Sequence, residues 1–350
     1  MTETAPADVT AALVEAIRQR GPISVAHYMA VANAHYYATR DPLGSTGDFT
    51  TAPEISQMFG ELLGVWLADL WDRAGRPAAH YVELGPGRGT LANDALRAMA
   101  SVGLVPDVHF VETSPALRAV QAARVPRVIF HDDPATLPGD GALLVIANEF
   151  FDALPVHQLI RGGANWHERR VSCHGSLFLP VVDRAVPESL IPKPLRDSPA
   201  GSIIESSAAG VAIITSLARQ IVAQGGAALI IDYGYDGPAV GETLQAVKAH
   251  GYANPFEQPG TQDLSAHVDF ATLGAAARLT GAEVSPTIAQ AALLGALGIA
   301  TRATALGGAA SDQQDDVTAA VARLTGPDAM GTLFRAMAVR APQWPEPAGF

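Results

Sequence analysis

The chain has 350 residues, 48% hydrophobic and 17% charged, with a formal net charge of -12. That share of apolar residues excludes a disordered chain. The acidic balance, with no Lys/Arg cluster beyond Arg169-Arg170, argues against a nucleic-acid partner, and the lone cysteine, Cys173, excludes an internal disulfide and any multi-cysteine zinc site.

In chain order, the first segment reads as helical. Val9, Leu13, Val14 and Ile17 recur at helical spacing, and Gly21-Pro22 ends that helix. The N-terminus is polar, without a basic stretch followed by an apolar one, so no signal peptide is expected. Ser24 is placed to cap a second helix through His27 and Met29. An irregular stretch over 39–53 precedes a long apolar stripe from Ile55 to Trp71, read as a core-facing helix. From residue 79 the pattern alternates. Strands are expected at 80–84, 108–112, 128–130 and 142–147, with helices at 89–100 and 115–123, an order that argues for a parallel sheet with helices on both faces. Residues 156–203 break the rhythm and read as a strand-rich insertion, a dimer contact or a substrate wall. A helix over 204–222 and a fifth parallel strand at 227–231 follow. Helices are then expected at 269–279, 288–299 and 312–324, and a terminal strand at 332–340. The longest apolar run, 141–147, is far short of the roughly 20 residues that cross a bilayer, and a cytoplasmic protein without a membrane partner is expected.

Chemistry concentrates at Glu83-Leu84-Gly85-Pro86-Gly87-Arg88-Gly89-Thr90, between an expected strand and an expected helix. The chain must bend sharply there and let a ligand approach the backbone, which glycine permits, and the helix start offers free N–H groups. A P-loop requires Lys-Ser/Thr after its last glycine, and Thr90-Leu91 stands there instead. A dinucleotide fingerprint requires Gly or Ala where Thr90 stands. Glycines spaced G-x-G-x-G, with an acid two places before the first, are similar to motif I of class I methyltransferases; this resemblance implies that Glu83, Gly85, Gly87 and Gly89 line the methionine end of S-adenosyl-L-methionine. Glu112 ends the second strand 23 residues after Gly89, where a carboxylate can accept both ribose hydroxyls. The fourth strand runs into Asn148-Glu149-Phe150-Phe151-Asp152. Strands one and four flank the switch point of such a sheet, where ligands bind, so these polar groups are expected beside the reactive methyl. Glu149 and Asp152 are the candidate catalytic acids, and Asn148 is expected nearer the cofactor's amino acid end. Asp48 and Thr50 are candidates to close over the cofactor, and Tyr233, His267 and Asp269 to meet the substrate. His27 and His35 lack a third ligand at metal-binding spacing, and no G-x-S-x-G nucleophile elbow occurs; no metal is expected.

Taken together, the chain resembles the MidA-type methyltransferases, whose mitochondrial members are complex I assembly factors that dimethylate an arginine. The resemblance is carried by His27-Tyr28-Met29, Tyr36-Tyr37, Gly47 through Gln57, Glu83 through Thr90, Asn148 through Pro155, Ile231-Asp232-Tyr233-Gly234, Thr243-Leu244-Gln245-Ala246 and Asp263 through Phe270. It implies S-adenosyl-L-methionine as cofactor and a protein arginine as acceptor. The chain departs from the family at Glu205-Ser206-Ser207, where Ile/Val-Ser-Pro is expected after the acid, and at Ala291, where an aromatic is expected. The expected architecture is a Rossmann-like class I methyltransferase domain over 76–350, with the insertion at about 156–203 and an N-terminal helical cap over 1–75. Its rivals are a NAD-dependent oxidoreductase and a non-catalytic assembly factor that keeps the cofactor pocket.

Overall fold

The computed structural model describes residues 9–39, 50–248, 251–309 and 314–350. The chain runs α1 (Val9–Arg20), β1 (Ile23–Ser24), α2 (Val25–Thr39), α3 (Ala52–Ile55), α4 (Gln57–Arg73), β2 (Ala79–Leu84), α5 (Thr90–Ser101), β3 (Asp107–Val111), α6 (Pro115–Arg124), β4 (Ile129–His131) and β5 (Ala142–Asn148). Next come β6 (His157–Arg161), β7 (Trp166–His174), β8 (Leu177–Ala185), β9 (Ile203–Ser206), α7 (Ala208–Gln224), β10 (Gly226–Tyr235), β11 (Gln245–Lys248), β12 (Gly251–Ala253) and β13 (Asp263–Ser265). The last part is β14 (Val268–Asp269), α8 (Phe270–Arg278), β15 (Glu283–Val284), β16 (Ile288–Ala289), α9 (Gln290–Ala296), α10 (Ile299–Ala309), α11 (Gln314–Thr325), α12 (Met330–Leu333) and β17 (Phe334–Arg340). Among the described residues no single helix is long and apolar enough to cross a membrane.

The elements form two compact units. One takes the described part of Met1–Phe49 with Asp152–Val211 and Asp236–Asp269; the other takes Thr50–Phe151, Ala212–Tyr235 and Phe270–Phe350. The expected cut at 75/76 coincides with none of the points where the chain passes between these units. In the first unit β1 pairs antiparallel with β7, Ile23 opposite Val171 and Ser24 opposite Arg170, so the N-terminal segment and the insertion share one sheet. Val9, Leu13 and Ile17 of α1 and Tyr28 and Met29 of α2 bury against Val171, Phe178 and Leu264. Ser24 caps α2, its Oγ accepting from His27 N at 3.0 Å. The helix expected from 204 starts later: Ile203 and Ile204 pair with Ile160 and Leu159 of β6, and Ser207 caps α7 by accepting from Gly210 N. Two β-branched residues beside an open strand edge gain more from the ladder than from an extra helical turn.

The second unit is built on a sheet ordered β15-β17-β10-β5-β2-β3-β4, with β16 also on β17. From β10 to β4 the strands are parallel, and β17 closes against β10 antiparallel. Every residue of β5 is buried, as a strand covered on both faces requires. This is the Rossmann-like α/β arrangement expected. The expected 288–299 helix is a strand and two helices, since Ile288–Ala289 pairs with β17 and Gly298 at φ 87° separates α9 from α10. The expected 269 and 332 starts fall on β14 and α12 instead.

Three histidines link β2, β3 and β4. His109 Nε2 lies 3.2 Å from His80 Nδ1 and its Nδ1 lies 3.0 Å from His131 Nε2. Burial, with the like charges of His80 and His131, pulls His109 down to about 4 against the pull of Asp107 and Asp140. The unfolded chain therefore binds the proton first, and folding stability falls as pH drops from about 6.5 towards 4. Urea unfolding at pH 7, 6 and 5 checks this: His109→Phe is expected to lose less stability over that window than the unaltered protein, and an equal loss would assign the acid sensitivity elsewhere.

Candidate functional site

In the second unit β2 and β5 end together, Leu84 opposite Ala147. Asn148, the last residue of β5 and paired with Ile231 of β10, thus stands next in register to Gly85, the first residue after β2, at the switch point of the sheet order where such folds bind ligands. Gly85, Gly87 and Gly89 all take left-handed backbone, at φ 61°, 53° and 73°. At Gly85 a Cβ would stand 2.9 Å from the Phe150 ring, so a side chain is excluded by packing as well as by conformation. Gly89 is the N-cap of α5 and its N–H donates to Pro86 O at 2.8 Å. Thr90 opens α5; its hydroxyl donates to Glu54 of α3 and accepts from Arg124 of α6.

Glu83 is buried on β2, and the Tyr81 hydroxyl donates to its Oε2 at 2.7 Å. Burial outweighs that bond and lifts its carboxyl to about 8. Glu112 follows β3 and is also buried. Its Oε1 accepts from Ser114 N at 2.8 Å and its Oε2 from Gln121 Nε2 at 3.2 Å. Burial raises this carboxyl as well, opposed by those donors.

Asn148 ends β5. Its Nδ2 donates to Glu149 Oε1 at 3.1 Å, while its buried Oδ1 has no hydrogen-bond partner. An orphaned buried acceptor costs about 1–3 kcal/mol and is a place to look for a ligand. Glu149 itself has φ 51°, a conformation costing a non-glycine residue about 1–3 kcal/mol that recurs where function demands it. Hydrogen bonds on both sides hold this segment. Glu149 N donates to Ile231 O at 2.9 Å, Ala52 N donates to its Oε1 at 3.1 Å, and the next two N–H groups, of Phe150 and Phe151, donate to Asp232 Oδ2 at 3.2 and 3.0 Å. Asp232 is fully buried and also takes the N–H of Tyr233. Tyr233 packs edge-on against Phe334 at 5.4 Å between ring centres. Thr50 is half-buried two residues ahead of Ala52. Asp48 lies outside the described residues.

Asp152, His267 and Asp269 belong to the first unit. Asp152 is buried and its carbonyl accepts from Ala266 N at 3.0 Å. Nearby, Asn33 donates to Ala153 O and Leu264 O and accepts from Leu264 N. The Tyr37 hydroxyl donates to Asp263 Oδ1 at 2.7 Å and is pushed well up, first by burial and then by Asp263 and Asp152. Glu205 is a buried hub: it accepts from Gln158, from the N–H groups of Thr243 and Leu244, and from the Thr243 hydroxyl. That hydroxyl in turn accepts from His267 N at 2.8 Å. Burial lowers the His267 imidazole, with Glu205 pulling the other way. Asp269 is half-buried in β14.

The structure thus gathers Glu83, the three glycines, Glu112, Asn148, Glu149 and Tyr233 at the carboxyl ends of β2, β3, β5 and β10, and places Asp152, His267 and Asp269 in the other unit. Asp232, Gln121 and Glu205 act on the candidate residues without having been singled out. Asp232 and Glu205 lay in stretches compared with the family, whereas nothing in the pattern around Gln121 marks it.

Three comparisons bear on what such a site serves. Residues 62–288 match a family model described as S-adenosyl-L-methionine-dependent methyltransferase. The mitochondrial protein arginine methyltransferase NDUFAF7 of Xenopus laevis is 35% identical, over 93% of this chain and 83% of its own length. The human protein of that name is 36% identical, over 83% and 73%. Among solved structures, a candidate methyl transferase from Burkholderia thailandensis with S-adenosyl-homocysteine bound matches all of this chain and 97% of its own, at 26% identity and a TM-score of 0.86.

Proposed function

This chain belongs to the family of S-adenosyl-L-methionine-dependent methyltransferases, and from that premise we propose that it methylates an arginine side chain of a protein, with Glu149 as the carboxylate that receives the guanidinium. The observation that carries this reading is the pairing of Leu84 with Ala147, which brings Glu149 out beside the glycine turn. The names of the relatives support arginine as the acceptor. Family membership replaces the nicotinamide alternative.

The residues suit the cofactor. Asn148 Oδ1 is a buried acceptor without a partner, and Glu112 retains lone pairs beyond those Ser114 and Gln121 engage. Glu83 and Asn148 would hold the amino acid end and Glu112 the ribose. When bound, the sulfonium supplies an already activated methyl group. The chain's task is to orient a nucleophile and exclude water. A guanidinium is protonated at neutral pH and nucleophilic only poorly. Glu149 accepts one of its N–H groups, draws positive charge off the attacking nitrogen and takes the proton which that nitrogen gives up as the N–C bond forms. Asp152, three residues on, is proposed as the second acid from its place in the sequence alone.

The test is incubation of the purified protein with methyl-labelled cofactor and a protein extract from cells lacking it, followed by acid hydrolysis and amino-acid separation. Label in methylated arginine is expected. Label confined to another residue type or to small molecules overturns the arginine reading, and no transferred label leaves the non-catalytic assembly role.

A further inference from the structure

We propose that Gln121 of α6 is a positioning residue for the cofactor's ribose: it locks the Glu112 carboxylate to the glycine turn. The inference rests on the cofactor assignment and is independent of the acceptor.

Gln121 is fully buried. Its Nε2 donates to Gly87 O at 2.6 Å and to Glu112 Oε2 at 3.2 Å. Both neighbours can only accept, so the amide nitrogen must face them, and the orientation of the amide follows. Gln121 thereby spans the two parts of the site that the chain separates, the bend after β2 and the acid after β3. Ser114 N holds the other oxygen of Glu112, so the carboxylate is fixed on both sides and can turn only if one of these bonds breaks. The same helix also fixes the Glu112 main chain, because Arg118 Nε donates to Glu112 O at 2.7 Å. Gly89 packs against this part of α6: a Cβ there would stand 3.8 Å from the Cα and Cγ of Gln121, at ordinary contact distance.

The arrangement has a cost that packing alone does not explain. Gln121 Oε1 is buried with no hydrogen-bond partner, an unfavourable state for an amide oxygen. A methionine of similar length would fill the same space without that penalty. What methionine lacks is the pair of N–H groups, and both serve groups of the cofactor site. A carboxylate pre-set for two hydroxyls binds a ribose without having to be ordered first. A Glu112 left free to rotate would be ordered at the moment of binding instead.

The experiment is calorimetric titration of the full chain with S-adenosylhomocysteine and with its analogue lacking both ribose hydroxyls. Gln121→Met is expected to weaken S-adenosylhomocysteine about tenfold or more while changing the affinity for the dihydroxyl-free analogue by less than about twofold. In a Glu112→Ala background Gln121→Met is expected to add almost nothing. Gln121→Asn, which keeps the amide but is too short to reach both partners, should reproduce the discrimination and provides the same measurement if the methionine variant does not fold. Equal losses for both ligands, or a full additional loss without Glu112, would reduce Gln121 to a structural clip and overturn the proposal. Failure of the unaltered chain to bind S-adenosylhomocysteine would overturn it together with the cofactor assignment, whereas a negative result at Gln121 alone leaves the arginine reading standing.

Discussion

Replacing Glu149 by glutamine is expected to lower methyl transfer by on the order of 10²–10³-fold while the affinity for S-adenosylhomocysteine stays within about twofold. The substitution is nearly isosteric. Ala52 N and Asn148 Nδ2, which both donate to Glu149 Oε1, can donate equally to an amide oxygen. The left-handed backbone at this position and the Asp232 bonds that follow it do not depend on the side-chain charge. Only that charge is lost, and with it the charge-assisted bond to a guanidinium and the acceptor for its proton. An alanine would be a poorer probe, since it would also strip Ala52 N of its acceptor and confuse local unfolding with chemistry. Single-turnover rates, with binding measured separately, divide the outcomes. A fall in S-adenosylhomocysteine affinity that tracks the rate would move Glu149 into the cofactor site, and an unchanged rate would remove it from the chemistry.

What could be read in advance follows the range of the interactions involved. The strand, bend and helix across 79–101 were legible because their determinants are local: an apolar run, glycines where positive φ is needed and a helix start immediately after. The same holds for the ends of β2 and β5, whose neighbourhood follows from alternating order and the switch-point rule. The two-unit organisation was not legible. It depends on β1, two residues long, finding Arg170 and Val171 far along the chain, and two residues carry no periodicity. Ile204 reads as part of a helix because Ala208–Gln224 is strongly helical and the boundary is set by the Ser207 cap and by β6 offering an edge. Asp232 and Gln121 were missed for a related reason. Each is a buried polar group whose meaning lies in partners from other elements, Phe150 and Phe151 for one, Gly87 and Glu112 for the other.

Binding of S-adenosylhomocysteine at pH 7 is expected to release close to one proton, with affinity rising about tenfold per pH unit below pH 8 and levelling above it. The reason is Glu83. Burial on β2 raises its carboxyl to about 8, the Tyr81 hydroxyl opposing that shift, so the folded protein holds it neutral at pH 7 although the unfolded chain ionises it near 4.5. The folded state therefore binds the extra proton between about 4.5 and 8, and this contribution to stability, full below 4.5, is lost as pH rises through 8. A ligand that brings an ammonium to Glu83 favours the carboxylate form, so it expels the proton, and below pH 8 each unit of acidity opposes binding. Calorimetry in two buffers of different ionisation enthalpy counts the protons directly. Glu83→Gln, neutral at every pH, is expected to abolish both the release and the slope, and to gain stability relative to the unaltered protein as pH rises from about 4.5 to about 8, with no further gain above that. If the slope survives in that variant, another group takes up the proton and Glu83 does not face the ligand's ammonium. If unaltered protein and variant both bind without proton release, the buried acid belongs to the core of the sheet and the amino acid end of the cofactor is held by Asn148 without it.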